Sequence, residues 1–112
     1  MYEPNKSTLV NNIIADFQKG ERLSSFQKLQ ELVDNYPEDE ITRYNFAVMS
    51  EQLNYIDLAI DNYKKITKNN PKNWRSKFSL YLIYINQKKY DPALQLINEV
   101  LKICIMLVTL KA

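Results

Sequence analysis

Hydrophobic side chains recur at helical spacing along most of the chain. In the first stretch they occupy positions i, i+1, i+4, i+5 and i+8, which share one side of an α-helix. These residues are Leu9, Val10, Ile13, Ile14 and Phe17. Similar stripes follow in residues 23–36, 56–66, 78–85 and 94–101. Because the chain has only one glycine, it is poorly suited to the tight hairpins of an all-β fold. The pattern therefore predicts an all-α protein.

The stripes belong to a repeat with a period of about 34 residues. Pro37 and Pro71 are separated by one period, and so are the successive small residues Ser25, Ala59 and Ala93. A small residue where two helices cross lets their axes approach to about 8–10 Å. The repeat predicts six helices of about 12–15 residues joined by short connections, which make neighbouring helices antiparallel.

Residues that start and end helices recur with the same period. A turn position is occupied by Gly20, Asn54 and Lys88. The candidate N-caps of the first helix in each unit are Asn5, Asp39 and Asn73. For the last helix, the sequence predicts Asp91 as N-cap and Pro92 as the first helical residue. We expect a single domain over residues 1–112, with units at roughly 6–39, 40–73 and 74–107 and an apolar tail at 103–112.

The second unit carries a family resemblance. It reads Tyr44-Asn45-Phe46-Ala47, then Ala59-Ile60-Asp61-Asn62-Tyr63-Lys64-Lys65-Ile66, then Pro71-Lys72-Asn73. The third unit fits through Leu80, Tyr84, Tyr90, Ala93 and Leu94. Together the units resemble the tetratricopeptide repeat family over nearly the whole chain. The resemblance implies an α-solenoid of three antiparallel helix pairs in a right-handed superhelix. It also implies a non-catalytic protein, whose concave groove binds a peptide or helix of a partner.

Mapped onto this chain, the resemblance implies a groove lined by the first helix of each pair. The candidate groove residues are Val10, Ile14, Phe17, Tyr44, Asn45, Val48, Arg75, Phe78 and Leu82. Tyr44 and Phe78 fit equally well in the groove or in the packing between units. Some family members bind a C-terminal carboxylate with polar side chains at five positions of the groove. Asn45 and Arg75 match two of these positions. Since Val10, Ile14 and Ser79 occupy the other three, we do not expect that specific activity here.

Composition argues against catalysis and against nucleic acid as a partner. The chain has no histidine, which removes Ser-His-Asp and Cys-His nucleophiles and most zinc sites. We therefore expect no enzyme activity, no metal and no cofactor. A net charge of +2 is too small to indicate nucleic acid binding. The charge is uneven, because residues 1–40 hold eight acidic and four basic residues and residues 41–112 hold five and eleven.

The tail from Ile103 to Leu110 has almost no polar side chains. It can pack back on its own unit, associate with a second copy or a partner, or belong to a longer repeat array. The candidate self-association residues are Ile103, Ile105 and Leu107. We expect no membrane span, because this longest apolar run is far shorter than the ~20 residues that a bilayer requires. With one cysteine, Cys104, and no signal-peptide pattern, the chain is expected to be cytoplasmic.

Overall fold

Residues 5–111, which the computed structural model describes, form six α-helices and contain no strand. The helices are α1 (Lys6–Gln18), α2 (Arg22–Asn35), α3 (Glu40–Gln52), α4 (Ile56–Asn69), α5 (Trp74–Asn86) and α6 (Tyr90–Lys111). Each helix packs against its neighbour in sequence, so three antiparallel pairs follow one another in a row. This confirms the prediction of an all-α solenoid of three helix pairs. The outermost residues of the expected domain, 1–4 and 112, lie outside the described residues.

The core consists of two apolar clusters, each of which joins successive helix pairs. The first cluster combines Val10, Phe17 and Leu29 of the first pair with Phe46 and Met49 of the second. The second cluster is built from α3, α4, α5 and α6. The three small residues at the helix crossings, Ser25, Ala59 and Ala93, are buried, as close helix approach requires.

The recurring turn position adopts a left-handed backbone in all three pairs. Gly20 has a φ of 110°, Asn54 of 64° and Lys88 of 61°. A side chain in this conformation costs roughly 1–2 kcal/mol for most residues, and Gly and Asn tolerate it better. Lys88 is therefore held in a strained conformation by the α5–α6 turn.

The helix starts agree only in part with the sequence prediction. Asn5 and Asn73 accept hydrogen bonds from the backbone N–H groups of Thr8 and Ser76, as N-caps do. Asp39 precedes α3 but makes no side-chain cap to the backbone. The prediction for the last helix was wrong by two residues, because α6 already begins at Tyr90, so that Asp91 and Pro92 both lie within its first turn.

The last helix is longer than expected. It has 22 residues, against 13 or 14 in the other five, since no proline stops it where Pro37 and Pro71 follow α2 and α4. Within the segment from Tyr90 to Leu110, an 18-residue window has a mean hydropathy of 1.8 and 11% of it is buried, so its length and composition would allow this helix to cross a membrane. The expectation of no membrane span considers uninterrupted apolar runs alone, and it stays a prediction.

Replacing Ser25 with Ala should stabilise the protein. The Ser25 hydroxyl is buried without a hydrogen-bond partner among the described residues, and the equivalent residues of the other pairs are Ala59 and Ala93. We expect Ser25→Ala to raise the free energy of unfolding by about 1 kcal/mol in urea denaturation. The matched control is Ser50→Ala, which should destabilise, because the buried Ser50 hydroxyl donates to the Phe46 carbonyl at 2.8 Å. A loss of stability in both variants would contradict the prediction.

Replacing Lys88 with Gly should also stabilise the fold. Glycine relieves the left-handed strain at this turn, and we expect an increase of about 0.5–1 kcal/mol in the free energy of unfolding. Lys89→Gly is the control, because the neighbouring Lys89 does not have a positive φ. Thermal denaturation followed by circular dichroism should show a higher Tm for Lys88→Gly alone. Equal shifts in the two variants would show that strain at Lys88 is not the cause.

Candidate functional site

Two clefts run between the first helices of successive pairs. The α1–α3 cleft has a volume of about 120 Å³ and the α3–α5 cleft about 380 Å³. The α1–α3 cleft is lined by Ile14, Phe17, Gln18, Asn45, Val48, Met49 and Gln52. The α3–α5 cleft is lined by Glu40, Ile41, Tyr44, Asn45, Asn73 and Arg75. Because Asn45 lines both, the two clefts meet at the middle of α3.

The α3–α5 cleft combines an apolar wall with charged groups at its edge. The Tyr44 ring meets the buried Tyr63 ring edge-on, with centroids 5.8 Å apart, which fixes the position of Tyr44. Glu40 accepts a hydrogen bond from the Asn70 amide at 2.9 Å. The guanidinium group of Arg75 lies over the Trp74 ring, 5.3 Å from its centroid. A ligand in this cleft would meet an apolar surface between one carboxylate and one guanidinium group.

Tyr63 lies in the core beside this cleft and is kept protonated. Burial raises the pKa of its hydroxyl above the usual value, and the nearby Glu51 carboxylate raises it further. A hydrogen bond with Ser79 acts in the opposite direction but is outweighed. Tyr63 therefore contributes a neutral phenol that joins α4 to residues of α3 and α5, and it is unsuited to act as a base or nucleophile near neutral pH.

The predicted groove residues of the first two units fall into two groups. Val10 is only 3% exposed and Phe17 7%, so both are mainly core residues, although Phe17 also reaches the α1–α3 cleft. The remaining residues are half-buried and line one or both clefts: Ile14, Tyr44, Asn45 and Val48. Asn45 and Arg75, the two matches to the family's carboxylate-binding positions, share the α3–α5 cleft.

Two predicted groove residues of the third unit, Phe78 and Leu82, are more exposed than their equivalents. Phe78 and Leu82 are 38% and 48% exposed and line neither of the two clefts. The Phe78 ring stacks on that of Tyr81, with centroids 5.8 Å apart. Val10, Tyr44 and Phe78 occupy the same position of the repeat, and Phe78 is the most exposed of the three because the described residues contain no helix pair after α6.

The structure also adds polar residues that the sequence reasoning did not place at the groove. Glu40 and Asn73 line the α3–α5 cleft, and Gln18 and Gln52 line the α1–α3 cleft. Their positions at helix ends explain the omission, since the sequence pattern identifies Asn73 only as a cap. The repeat itself could have located Gln18 and Gln52, because they are one repeat period apart.

The three predicted self-association residues lie on different sides of α6. Ile103 is half-buried, whereas Ile105 and Leu107 are exposed. Ile105 lies on the opposite side of the helix axis from Ile103, since two residues correspond to about 200° of helical rotation. The three residues therefore do not form one continuous surface.

Residues 5–111 contain no cluster of three or more histidine, cysteine, aspartate or glutamate side chains that could hold a metal. The polar groups at the clefts are amides, one guanidinium group and a carboxylate. Such groups can form hydrogen bonds and ion pairs with a bound chain.

The fold is similar to solved structures of MamA. A crystal structure of MamA superposes with a TM-score of 0.80 at 20% identity, over 87% of this chain and 57% of that one. A MamA chain from position 41 onward, from Desulfovibrio magneticus RS-1, gives 0.76 at 18% identity, over 90% and 58%. An arginine-to-glutamate mutant of MamA gives 0.73 at 16% identity, over 89% and 74%.

These similarities establish the fold alone, since the sequences are at most 20% identical. The chain spans somewhat less than three fifths of the length of the first two MamA chains. No protein-family model matches the chain, and no curated protein sequence matches it.

Two valine-to-alanine substitutions should distinguish a core position from a groove position by the stability that each one loses. Val10 is buried in the first cluster and Val48 is half-buried at the α1–α3 cleft. We expect Val10→Ala to lower the free energy of unfolding by about 2 kcal/mol and Val48→Ala by about 1 kcal/mol or less. The substitutions change helix propensity equally, so each serves as the other's control in urea denaturation. An equal or larger loss for Val48→Ala would show that Val48 is also a core residue.

Proposed function

We propose that this protein is a non-catalytic interaction scaffold that binds a segment of a partner polypeptide along α1, α3 and α5. The observation that carries the proposal is the meeting of the two clefts at Asn45, which gives one continuous path across the first helices of the three pairs. A path of this kind suits an extended or helical peptide, which makes contacts at regular intervals along its length.

The chemistry of the path favours a peptide with an apolar side chain next to polar or charged ones. Ile41 is largely exposed and Tyr44 is held rigid by Tyr63, so Ile41 and Tyr44 offer a preformed apolar surface. Arg75 and Glu40 lie at the same cleft and can pair with charges of either sign on the bound segment. The Asn45 amide, where the clefts meet, donates one N–H to the Ile41 carbonyl at 2.9 Å, and its oxygen and second N–H can hydrogen-bond to a peptide backbone.

The solenoid fold shared with the MamA structures supports a scaffold role, since stacked helix pairs create an extended surface for binding. It does not identify a partner. We propose that the bound molecule is a protein rather than a nucleic acid, because Arg75 is the only basic side chain among residues 5–111 that lines either cleft.

Charge substitutions at two groove positions should abolish peptide binding. The variant combines Ile41→Lys with Asn45→Lys, one helical turn apart on α3. We expect peptides selected from a random peptide display library on the intact protein to bind this variant at least ten-fold more weakly. The physical reason is that two lysines would place charge on the apolar wall and at the junction of the clefts.

The matched control combines Leu23→Lys with Gln27→Lys, which are exposed and also one turn apart, but on α2. It adds the same number of lysines away from α1, α3 and α5. Isothermal titration calorimetry should show unchanged affinity for this control. Equal binding by the two variants, or equal loss in both, would contradict the proposed site.

A further inference from the structure

The outer side of the last helix pair exposes positions that earlier pairs cover. Phe26, Ile60 and Leu94 occupy one position of the repeat. Phe26 packs against Phe46 and Tyr55 of the following pair, and Ile60 is 9% exposed, whereas Leu94 is 61% exposed. Residues at this position therefore pack against the following pair, and no described element covers Leu94 in the last pair.

The apolar residues of α5 follow the same trend. Phe78 and Ile85 are exposed, whereas Val10 and Phe17, which occupy the same repeat positions in the first pair, are buried. The α5–α6 face is therefore a helix-packing surface without a covering helix among residues 5–111.

On α6 this face carries a stripe of residues that are spaced alternately four and three positions apart. The stripe, termed here the seam, consists of Leu94, Asn98, Leu101, Ile105 and Val108. All five residues are exposed. The spacing is that of heptad positions d, a, d, a and d, with Ile at one a position and Leu at two of the d positions, the combination that favours two-stranded coiled coils.

The opposite end of the solenoid does not complement the seam. Phe46 and Met49 of the second pair pack on the first pair, but the residues at these repeat positions in the first pair are Asn12 and Ala15. Asn12 is exposed, and the cavity at this end is lined by Leu9, Ile13 and Leu32 but also by the charged Asp16, Lys28 and Glu31. A second copy stacked head to tail would bring Asn12 and these charged side chains onto the apolar seam, which is unfavourable.

The length of the seam also argues against a further helix pair of the same kind as its cover. The second helices of the first two pairs, α2 and α4, are both 14 residues long, and α6 has 22. The additional turns carry Ile105 and Val108, which continue the spacing of Leu94 and Leu101. A helix of equal length with the same spacing fits the whole seam, and α6 of a second copy is such a helix.

We infer that this protein forms a two-fold symmetric dimer in which the seams of two α6 helices pair in parallel. Asn98 determines the orientation. In a parallel pair each Asn98 faces the other copy's Asn98, and the two amides can hydrogen-bond. In an antiparallel pair centred on Leu101, Asn98 would face Ile105 and lose its hydrogen bonds.

The α5 residues enlarge the contact. A seam of two heptads is shorter than the three to four heptads that mark an independent coiled coil. One side of α5 faces in the same direction as the seam, and it carries Phe78, Leu82 and Ile85. Their equivalents in the earlier pairs face the following pair. The dimer therefore joins four helices, two from each copy.

A lipid bilayer is the alternative occupant, because α6 is long and apolar enough to span one. Crossing a membrane would require α6 to leave α5, where Ala93 and Val100 are buried. It would also bring Glu99 and Lys102 into the hydrocarbon, at about 2.5–3.5 kcal/mol per charge near the centre. In the folded protein Glu99 instead pairs with Lys77 of α5, 3.3 Å away. A second copy covers the seam without these costs.

Light scattering coupled to size-exclusion chromatography tests the dimer. The intact chain should have twice its 13.3 kDa mass at concentrations of tens of micromolar. Leu101→Lys combined with Ile105→Lys should halve the mass while circular dichroism stays helical, because both side chains are exposed in the monomer. The matched control, Met106→Lys with Leu110→Lys, adds the same charge on another side of α6 and should stay dimeric. A monomeric intact chain, or a monomeric control, would overturn the inference.

Disulfide trapping tests the orientation. Ile105→Cys in a Cys104→Ser background should give a covalent dimer on mild oxidation, because heptad a positions face each other in a parallel pair and Asn98 stays in place. Met106→Cys in the same background should cross-link much more slowly. A dimer in which Ile105→Cys fails to cross-link would overturn the parallel arrangement.

Vesicle flotation tests the alternative occupant. The intact chain should stay with the soluble fraction when mixed with vesicles of phosphatidylcholine and phosphatidylglycerol. Flotation of the intact chain, lost in the Leu101→Lys and Ile105→Lys variant, would assign the seam to a membrane and overturn the dimer.

Discussion

The structure depends on the packing of each helix pair against the one before it. A single pair buries one side of each helix between its own members and leaves a second apolar side exposed. Phe46 and Met49 cover that side for the first pair, and Leu80 and Ile83 do so for the second. Contacts are therefore local, between neighbours in sequence, and the stability of such a chain is a sum of pairs and interfaces between pairs. The clefts are a consequence, since they form where first helices of stacked pairs lie side by side.

Much of this arrangement could be predicted because the packing repeats with a constant period. Ser25, Ala59 and Ala93 had to be small at the helix crossings, and all three are buried. The turn residues also follow the prediction, since the left-handed backbone that such a turn requires occurs at Gly20, Asn54 and Lys88. These predictions succeed because each residue performs a local task that is set by its place in the repeat.

The functional surface was less accessible to sequence reasoning, for a physical reason. A groove position in a repeat has two neighbours, the bound ligand and the next helix pair, and a periodic pattern does not distinguish them. Val10 and Phe78 share one position, yet Val10 is buried by the second pair and Phe78 is exposed. The length of α6 was underestimated because the prediction gave all six helices about 12–15 residues, whereas Ile105 in the third unit replaces the proline that stops the helix in the other two. Glu40 and Asn73, two polar residues of the α3–α5 cleft, were missed because both have evident roles at helix starts.

The seam on α6 has a consequence for assembly. A contact between two unlike surfaces can add copies without limit and form filaments, whereas a two-fold contact between identical surfaces is complete at two copies. Association through the seam would therefore close at two copies and leave both sets of clefts open to solvent. A ligand with two binding segments could then occupy both sets at once, and its avidity would exceed the affinity of either segment alone.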